Sequence, residues 1–349
     1  MRKGMIHIFS TELKSGKGGI STALVGYVES LRERDVPINL VTTHSGVNKV
    51  GNFFKALASA FRVKSGDVCW FHVGPWFSIL RKSIFILICK LKGAKVVVHF
   101  HSAKTHHYLH SSFGRLCLKC LYFLSDHFVV LTNWWKSEFA HHGFDEKVFV
   151  SPNPIDSQLV QLIEENKVRF LEGKKLEETA FVNILAMTRL VEGKGFREII
   201  NALHILPSNY KLSIAGSGPL EEQLKKQVQA LGLSDRVTFL GWVDYGSKLE
   251  LFSNTDLFCL PSRFDSFGMV YLEALSANIP VVALNFQAIP DVVPEGMGVL
   301  IDNDDPVSLA CAIQEAAEMR DIKGDEYVLS KYSPEPVTKR FLKNVEYSA

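Results

Sequence analysis

Short apolar runs alternate with amphipathic, helix-forming stretches along the first 150 residues. The apolar runs are rich in Val, Ile and Phe, which favour β-strands. The predicted strands are 5–9, 38–42, 68–72, 95–99 and 127–131, with predicted helices at 20–34 and 111–125. Apolar strands that are each followed by a helix are typical of a buried parallel sheet made of βαβ units.

The same alternation continues through the second half of the chain. The predicted strands there are 182–187, 211–215, 237–240, 257–260, 281–284 and 299–301. The predicted helices are 195–206, 220–232, 245–253, 269–277 and 306–319. Two such series predict an α/β protein with two doubly wound, Rossmann-like domains.

The boundary between the two series falls at Pro152 and Pro154, which end the preceding strand and stiffen a turn. We therefore place the first domain at 1–156 and the second at 157–333. A charged, helix-forming stretch, 157–178, leads into the second domain. We expect a terminal helix at about 334–349 that packs back onto the first domain.

Composition adds a charge asymmetry to this picture. Of 349 residues, 47% are hydrophobic and 22% are charged, which excludes a disordered, collagen-like or coiled-coil chain. The net charge of +2 conceals a basic half and an acidic half. Residues 1–150 hold 20 Lys+Arg and 9 Asp+Glu, a net of +11, and the remaining 19 and 28 give −9. The basic half predicts an anionic partner, such as phosphorylated ligands or a membrane surface.

From the sequence we expect neither a secretory leader nor a membrane-spanning segment. Its most apolar stretch, Trp76–Leu91, is interrupted by Arg81 and Lys82, so it falls short of the ~20 residues that a span needs. We therefore expect a cytoplasmic protein, associated with the inner face of the membrane peripherally if at all.

Basic and apolar residues are interleaved in helix-forming parts of the first half, and this pattern has two interpretations. Either the surface docks on anionic lipid headgroups, or the apolar residues are core and the cations are solvated. Nucleic acid is not expected as a partner, because the cations do not form an Arg-rich stripe. The basic residues concerned are Lys90, Lys92, Lys95, Arg115 and Lys119.

Two glycine-rich turns join predicted strands to predicted helices. Gly18 and Gly19 precede the first helix, and Gly216 and Ser217 follow the strand 211–215. Such turns offer backbone N–H groups to a phosphate at a helix N-terminus. Each is also consistent with an ordinary turn, and the first matches neither the dinucleotide nor the P-loop pattern.

Arg189 and Lys194 lie on the loop that follows the first strand of the second domain. Open α/β sheets bind ligands at this end of their strands. A guanidinium fork and an ammonium group five residues apart suit a diphosphate, although a solvated basic turn has the same sequence.

Two carboxylates, Asp265 and Glu273, flank a predicted helix start at Gly268. A carboxylate accepts several hydrogen bonds, which suits sugar hydroxyl groups. One acid is suited to a hexose and the other to a ribose, with phosphates at the helix N-terminus between them. Glu273 has apolar neighbours, so we expect it to be partly buried and to need a partner.

His99 and His101 alternate at the end of a strand and therefore face the same way. We interpret His101 as a hydrogen-bonding or proton-handling group in a cleft and expect no metal site, because no third ligand is evident. Asp126 and His127 are weak candidates for one. His106, His107 and His110 are interpreted as a solvated loop. Asp302 and Asp304 form a D-x-D that we assign to a turn and a helix N-cap.

Taken together, these stretches resemble glycosyltransferase family 4, the large retaining family with the GT-B fold. The resemblance covers essentially the whole chain and is strongest over 182–290. It rests on Arg189 and Lys194-Gly after the first strand, the glycine turn at 216, Leu-Gly-Trp at 240–242, and the Asp265–Phe-Gly–Glu273-Ala element. It implies two Rossmann-like domains that face each other across a cleft, and no cofactor beyond a nucleotide diphosphate sugar as co-substrate.

The resemblance also implies roles for individual residues. Arg189 and Lys194 would bind the donor diphosphate without a metal ion. Glu273 would hold the ribose, Asp265 the transferred sugar, and His101 would lie near that sugar. The family usually has Glu where Asp265 stands, so its reach or sugar preference differs. The remaining donor-binding set comprises Gly18, Gly19, Gly216, Ser217, Val243, Ser266, Phe267, Gly268 and Met269.

The implied activity is retaining transfer of a hexose-type sugar from a UDP- or GDP-sugar to a glycan or lipid-linked glycan, as in bacterial surface polysaccharide synthesis. Two alternatives remain at this stage. One is another GT-B sugar-nucleotide enzyme, such as a 2-epimerase, and the other is a non-catalytic protein that binds nucleotide sugars.

Overall fold

A computed structural model describes residues 4–13, 19–44, 49–172 and 181–347. The chain divides into two compact units. The first unit comprises Met1–Ser157 and Lys331–Ala349, and the second comprises Gln158–Ser330. Within the described residues, each unit contains one six-stranded sheet in which every neighbouring pair of strands is parallel. The predicted fold class is confirmed.

The first unit alternates strands and helices from its start. Its elements are β1 (Ile6–Thr11), α1 (Gly19–Glu33), β2 (Ile38–His44), α2 (Lys49–Arg62), β3 (Val68–Val73), α3 (Trp76–Leu91), β4 (Lys95–Phe100), α4 (Thr105–His110), α5 (Ser112–Leu124), β5 (His127–Val130), α6 (Asn133–His141) and β6 (Val148–Val150). The strand order is β2-β1-β3-β4-β5-β6.

The second unit begins within the helix α7 (Ser157–Glu172). Its elements are β7 (Val182–Met187), α8 (Phe196–Ile205), β8 (Tyr210–Ala215), α9 (Glu221–Ala230), β9 (Val237–Gly241), α10 (Tyr245–Ser253), β10 (Leu257–Leu260), α11 (Met269–Ser276), β11 (Val281–Leu284), α12 (Ile289–Val292), β12 (Gly298–Ile301) and α13 (Pro306–Glu318). The strand order β12-β11-β10-β7-β8-β9 reverses direction between β7 and β10, as in a doubly wound nucleotide-binding fold.

Two helices close the chain: α14 (Gly324–Tyr332) and α15 (Pro334–Asn344). The predicted strands and the helices of the second unit end within two residues of the observed positions. One interpretation was wrong: the stretch with His106, His107 and His110 is the helix α4. Residues 173–178 of the predicted linking helix lie outside the described residues. No described helix is both long enough and apolar enough to cross a membrane.

The core of the first unit depends on the terminal helix. Val337 and Phe341 of α15, and Val345 at its C-cap, are fully buried in the same cluster as Tyr27 of α1 and Trp70 of β3. The Phe341 ring stacks on Trp70 with centroids 3.9 Å apart, and Tyr27 meets Trp70 edge-on at 4.8 Å. The last helix therefore completes a hydrophobic core whose other members come from the start of the chain.

Removing the Phe341 ring tests this dependence. Phe341→Ala should lower the free energy of unfolding by ~3–5 kcal/mol, because it leaves a cavity against Trp70. Urea denaturation followed by tryptophan fluorescence measures the change. Lys339→Ala, an exposed position of the same helix, is the control and should alter stability little. Equal midpoints for both variants would contradict the packing.

Candidate active site

The loops that follow β7 and β10 are held in direct contact. Gly195 has φ +83°, and a Cβ there would come within 2.5 Å of Pro261 Cγ and 2.6 Å of its carbonyl oxygen. The backbone N–H of Arg263 donates to the carbonyl oxygen of Gly193 at 2.8 Å. Only glycine permits this approach, which fixes Lys194 between the two loops.

Lys194 and Asp265 form a buried ion pair across these loops. The Nζ of Lys194 lies 2.7 Å from Oδ1 of Asp265 and 2.9 Å from the carbonyl oxygen of Phe264. The Lys194 residue is only 8% exposed. The second oxygen of Asp265, Oδ2, is buried and accepts no hydrogen bond from the described residues. One acceptor atom is therefore left for a ligand hydroxyl group, since buried acceptors are otherwise paired.

This ion pair lies at the reversal point of the second sheet. β7 and β10 are neighbours there, and their C-terminal ends carry Lys194 and Asp265 respectively. Ligands of open α/β folds bind in the crevice outside the carboxyl ends of strands at this point, because the connections diverge to opposite faces.

The start of α11 presents backbone N–H groups beside Asp265. Its N-cap, Gly268, has φ +80°, and a Cβ there would approach the Tyr271 ring to 2.3 Å. Phe267 is buried, whereas Ser266 and Met269 are half-buried. A helix N-terminus is a favourable position for a phosphate group.

Glu273 is 9% exposed, and its Oε2 lies 2.7 Å from Nζ of Lys248 on α10. The expectation that this acid is partly buried and paired is confirmed. The sequence analysis did not find Lys248. A buried acid signals that a cation must be near, but the supplying helix depends on packing that periodicity does not reveal.

The glycine turn at 216 lies against the loop of Arg189. A Cβ on Gly216 would lie 1.9 Å from the carbonyl oxygen of Thr188, so the two loops touch. The N–H of Gly216 donates to Gly241 O at 2.6 Å, which brings in the loop after β9. Arg189 and Ser217 are exposed. Val243, two residues beyond Gly241, is half-buried.

The D-x-D residues do not cap a helix, so that assignment was wrong. The N-cap of α13 is the next residue, Asp305, which accepts from Val307 N and Ser308 N. Asp304 forms a two-bond pair with Arg263, and this pairing lowers the pKa of Asp304. The side-chain amide of Asn285 donates to Asp302 at 2.9 Å. These carboxylates hold neighbouring loops together.

In the first unit, His101 belongs to a cluster of three imidazoles. Nε2 of His101 lies 2.8 Å from Nδ1 of His72, and the His99 ring lies 4.2 Å from the His101 ring. A third possible metal ligand is therefore close to His99 and His101. It is His72 of β3 rather than Asp126 or His127. His72 pairs with His99 in the β3–β4 register, which explains why sequence spacing did not show it. Gly18 lies outside the described residues, and Gly19 is the first residue of α1.

Burial keeps this cluster uncharged. It lowers the pKa of His101 to about 3 and holds the pKa values of His72 and His99 well below the usual range, with smaller contributions from neighbouring positive charges. Burial also lowers the pKa of Lys82 to about 7. The Lys82 amine donates to the carbonyl oxygen of His72.

The two parallel sheets, each in a unit of its own, define the class of protein as a two-unit α/β fold of the GT-B type. Solved structures agree in fold. Sucrose-phosphate synthase from Thermosynechococcus elongatus is 18% identical with a TM-score of 0.77, covering 98% of each chain. Anabaena HepE in complex with UDP-glucose is 18% identical with a TM-score of 0.72, covering 98% of this chain and 99% of that one.

Sequence comparison gives the family. A model described as Glycosyl transferases group 1 matches residues 168–328, and one described as Glycosyltransferase Family 4 matches 51–159. The chain belongs to glycosyltransferase family 4. The lipopolysaccharide core biosynthesis glycosyltransferase LpsE of Rhizobium meliloti is 30% identical over 166 residues, 46% of this chain and 48% of that protein. The chain spans about half the length or less of the curated relatives that it matches.

The neutral histidine cluster predicts a loss of stability in acid. An unfolded histidine has a pKa near 6.5, so unfolding takes up a proton at pH 5 that the buried ring does not hold. The free energy of unfolding should therefore fall as the pH drops below about 6.5. His99→Phe should reduce this slope by about 1.4 kcal/mol per pH unit.

Urea denaturation at several pH values between 7 and 5 measures the slope. His107→Phe is the matched control, because His107 is exposed on α4 and should leave the slope unchanged. If His99→Phe and wild type lose stability in parallel, the buried ring is already protonated and the account is wrong.

Proposed function

We propose that this protein is a retaining glycosyltransferase that moves a hexose-type sugar from a UDP- or GDP-sugar to a glycan or lipid-linked glycan. One observation carries the proposal: the Lys194–Asp265 pair lies at the reversal point of the second sheet and leaves Asp265 Oδ2 without a hydrogen-bond partner among the described residues. A cation and a vacant buried acceptor side by side match a donor in which a diphosphate and a polyol adjoin.

The diphosphate is assigned to the cations and backbone N–H groups around that pair. Arg189, the loop of Lys194, the turn at Gly216 and the start of α11 surround the C-terminal ends of β7 and β8. Fixed positive charge stabilises the leaving nucleotide as the bond to the sugar breaks, which is preorganised electrostatic catalysis. We assign this task to the cations without a metal ion or other cofactor.

The two acids are assigned to the two sugars of the donor. Oδ2 of Asp265 accepts from a hydroxyl of the transferred hexose, while Oδ1 stays on Lys194. Glu273 accepts from the ribose hydroxyls, and Lys248 neutralises it until the donor binds. The complex of Anabaena HepE with UDP-glucose supports a nucleotide sugar of this kind. We also assign His101 to the catalytic residues, because its position matches the family pattern.

The proposed reaction retains the anomeric configuration. The bond between the anomeric carbon and the phosphate oxygen breaks, and the acceptor oxygen bonds to the same face of that carbon. The acceptor proton passes to the leaving phosphate. The ion pair to Lys194 holds Asp265 as a hydrogen-bond acceptor for the sugar rather than as a covalent nucleophile.

The acceptor side is assigned from an exposed apolar stripe on α3. Five of its large side chains recur every three or four residues and therefore share one face. They are Phe77, Leu80, Ile84, Leu87 and Leu91, each between 45% and 85% exposed. The apolar residues of this face are thus not core, which favours the membrane interpretation over the solvated one.

Helix α5, which contacts α3, adds to this surface. Its Phe113, Leu116 and Phe123 are exposed, and so is Lys119. Exposed Lys92 follows the end of α3. Apolar side chains with lysines at their edges insert at the interface of an anionic bilayer. We assign this α3–α5 surface to the cytoplasmic face of a membrane, where a lipid-linked acceptor resides.

Removing the charge of Arg189 tests the donor site. Arg189→Ala should lower kcat by about 10²–10³-fold, because one fixed group that stabilises the leaving phosphates is lost. Asp265→Asn and Glu273→Gln should weaken turnover and donor binding respectively. Release of nucleoside diphosphate from a panel of UDP- and GDP-sugars, together with the thermal shift that each produces, measures both effects.

Arg197→Ala and Glu250→Gln are the matched controls. Arg197 lies on α8 and Glu250 on α10, both in the second unit. They should leave turnover unchanged. The transferase proposal fails if no nucleotide sugar stabilises the protein and Glu273→Ala changes nothing. The anomeric coupling of the product tests retention, and conversion of the donor sugar without an acceptor would indicate an epimerase instead.

The membrane assignment predicts salt-sensitive binding to anionic vesicles. The double variant Phe77→Ser, Leu91→Ser should bind vesicles containing phosphatidylglycerol at least about tenfold more weakly, because two inserted apolar side chains are lost. Sedimentation with vesicles at low and high salt measures this, and binding should fall as salt rises.

Phe181→Ser is the control, because Phe181 is an exposed apolar residue of the second unit. It should bind vesicles like wild type. Absence of binding even at low salt would overturn the assignment. A doubling of the mass in solution that the double variant abolishes would assign the stripe to a second copy of the chain.

A further inference from the structure

Four polar side chains converge between α4 and α6 in the first unit. His106 and His110 are one turn apart on α4, and Glu138 and His142 are one turn apart at the end of α6. Residues four apart lie on the same face of a helix, so each helix presents a pair to the other. The activity proposed above uses none of these residues.

The distances from Glu138 to the three imidazole rings match those between ligands of one metal ion. Oε1 of Glu138 lies 3.6 Å from Nε2 of His106, 3.6 Å from Nδ1 of His110 and 3.6 Å from Nε2 of His142. Around a tetrahedral zinc ion with bonds of about 2.0–2.2 Å, ligand atoms are separated by roughly 3.3–3.6 Å. The ligand atoms of His106, His110 and Glu138 all lie within 4.8 Å of one another.

Direct hydrogen bonding does not account for this arrangement. A separation of 3.6 Å is too long for a hydrogen bond between an imidazole and a carboxylate. Oε1 of Glu138 is buried and has no hydrogen-bond partner among the described residues, although three imidazole nitrogens surround it. A cation bound by Glu138, His106 and His110 would satisfy this oxygen, and His142 lies close enough to the same oxygen to supply a fourth ligand.

We propose that His106, His110, Glu138 and His142 bind one zinc ion, which links α4 to α6. Three imidazoles and one carboxylate are ligands that zinc prefers, and four protein ligands complete a tetrahedron. Such a site is structural rather than catalytic. It would anchor the segment that begins four residues after His101, because α4 starts at Thr105.

The surroundings of the rings support this assignment. His106 is half-buried, so part of its ring is shielded from water. The His106 ring also stacks on Trp134 with centroids 5.8 Å apart, which restrains its orientation. Nδ1 of His110 lies 3.0 Å from the carbonyl oxygen of His106, and zinc binding replaces this contact.

The cluster of His72, His99 and His101 is the competing site for a metal ion. It lacks an acidic ligand, and the buried amine of Lys82 lies against it. A divalent cation would meet a buried amine there rather than a carboxylate. The experiment must therefore distinguish the two clusters.

Zinc binding to the full-length chain, stripped with a chelator, tests the proposal. Competition with a chromophoric chelator should give one zinc ion per chain. His106→Ala and Glu138→Gln should each weaken binding by on the order of 100-fold, since loss even of a supporting residue costs about 10–100-fold. Cobalt should give the intense visible absorption of a tetrahedral site in wild type and lose it in these variants.

His107→Ala and His141→Ala are matched controls, because both residues are exposed neighbours on the same two helices. They should bind zinc like wild type. Circular dichroism of the metal-free variants checks folding, and if Glu138→Gln is unfolded, His142→Ala replaces it. The proposal is overturned if wild type binds no zinc, if His107→Ala loses it equally, or if His72→Ala loses it while His106→Ala retains it.

Discussion

The contact between Gly195 and Pro261 is the constraint on which the candidate active site depends. It brings the loops after β7 and β10 close enough for Lys194 to reach Asp265 at 2.7 Å. A charged pair in a buried position is tolerated only when its geometry is good, because each ion alone would be costly to desolvate. Any side chain at position 195 would separate the loops and leave both charges unpaired.

The same constraint fixes the orientation of the acidic groups. Lys194 restrains Asp265, and Lys248 restrains Glu273, so both carboxylates are held in place by ion pairs. Fixed groups need no reorganisation when charge develops on a leaving phosphate, which is the main source of electrostatic catalysis. Gly216 contributes to this fixed geometry as well. Because it has no side chain, the loop of Arg189 can approach the turn at Gly216 closely.

Most of the fold could be predicted from the sequence, because buried parallel strands are apolar throughout. The residues of the candidate donor site could be predicted because they follow strand ends. What the sequence missed depends on which elements become neighbours. His72 joins His99 only through the β3–β4 register, and Lys248 reaches Glu273 from another helix. Asp305 rather than Asp304 caps α13, because Arg263 from a distant loop engages Asp304. Tertiary packing determines these partners, and local sequence patterns do not reveal it.

The structure also limits how the net positive charge of residues 1–150 can be interpreted. Some of its cations have internal partners: Lys90 pairs with Asp126, Lys95 with Glu346, and Lys147 donates to backbone carbonyl oxygens. These three cations are less available to an outside partner than unpaired ones on the surface. An anionic surface would be attracted chiefly by cations next to exposed apolar side chains. Such cations occur beside α3 and on α5, so position, rather than the amount of charge, determines where a membrane could dock.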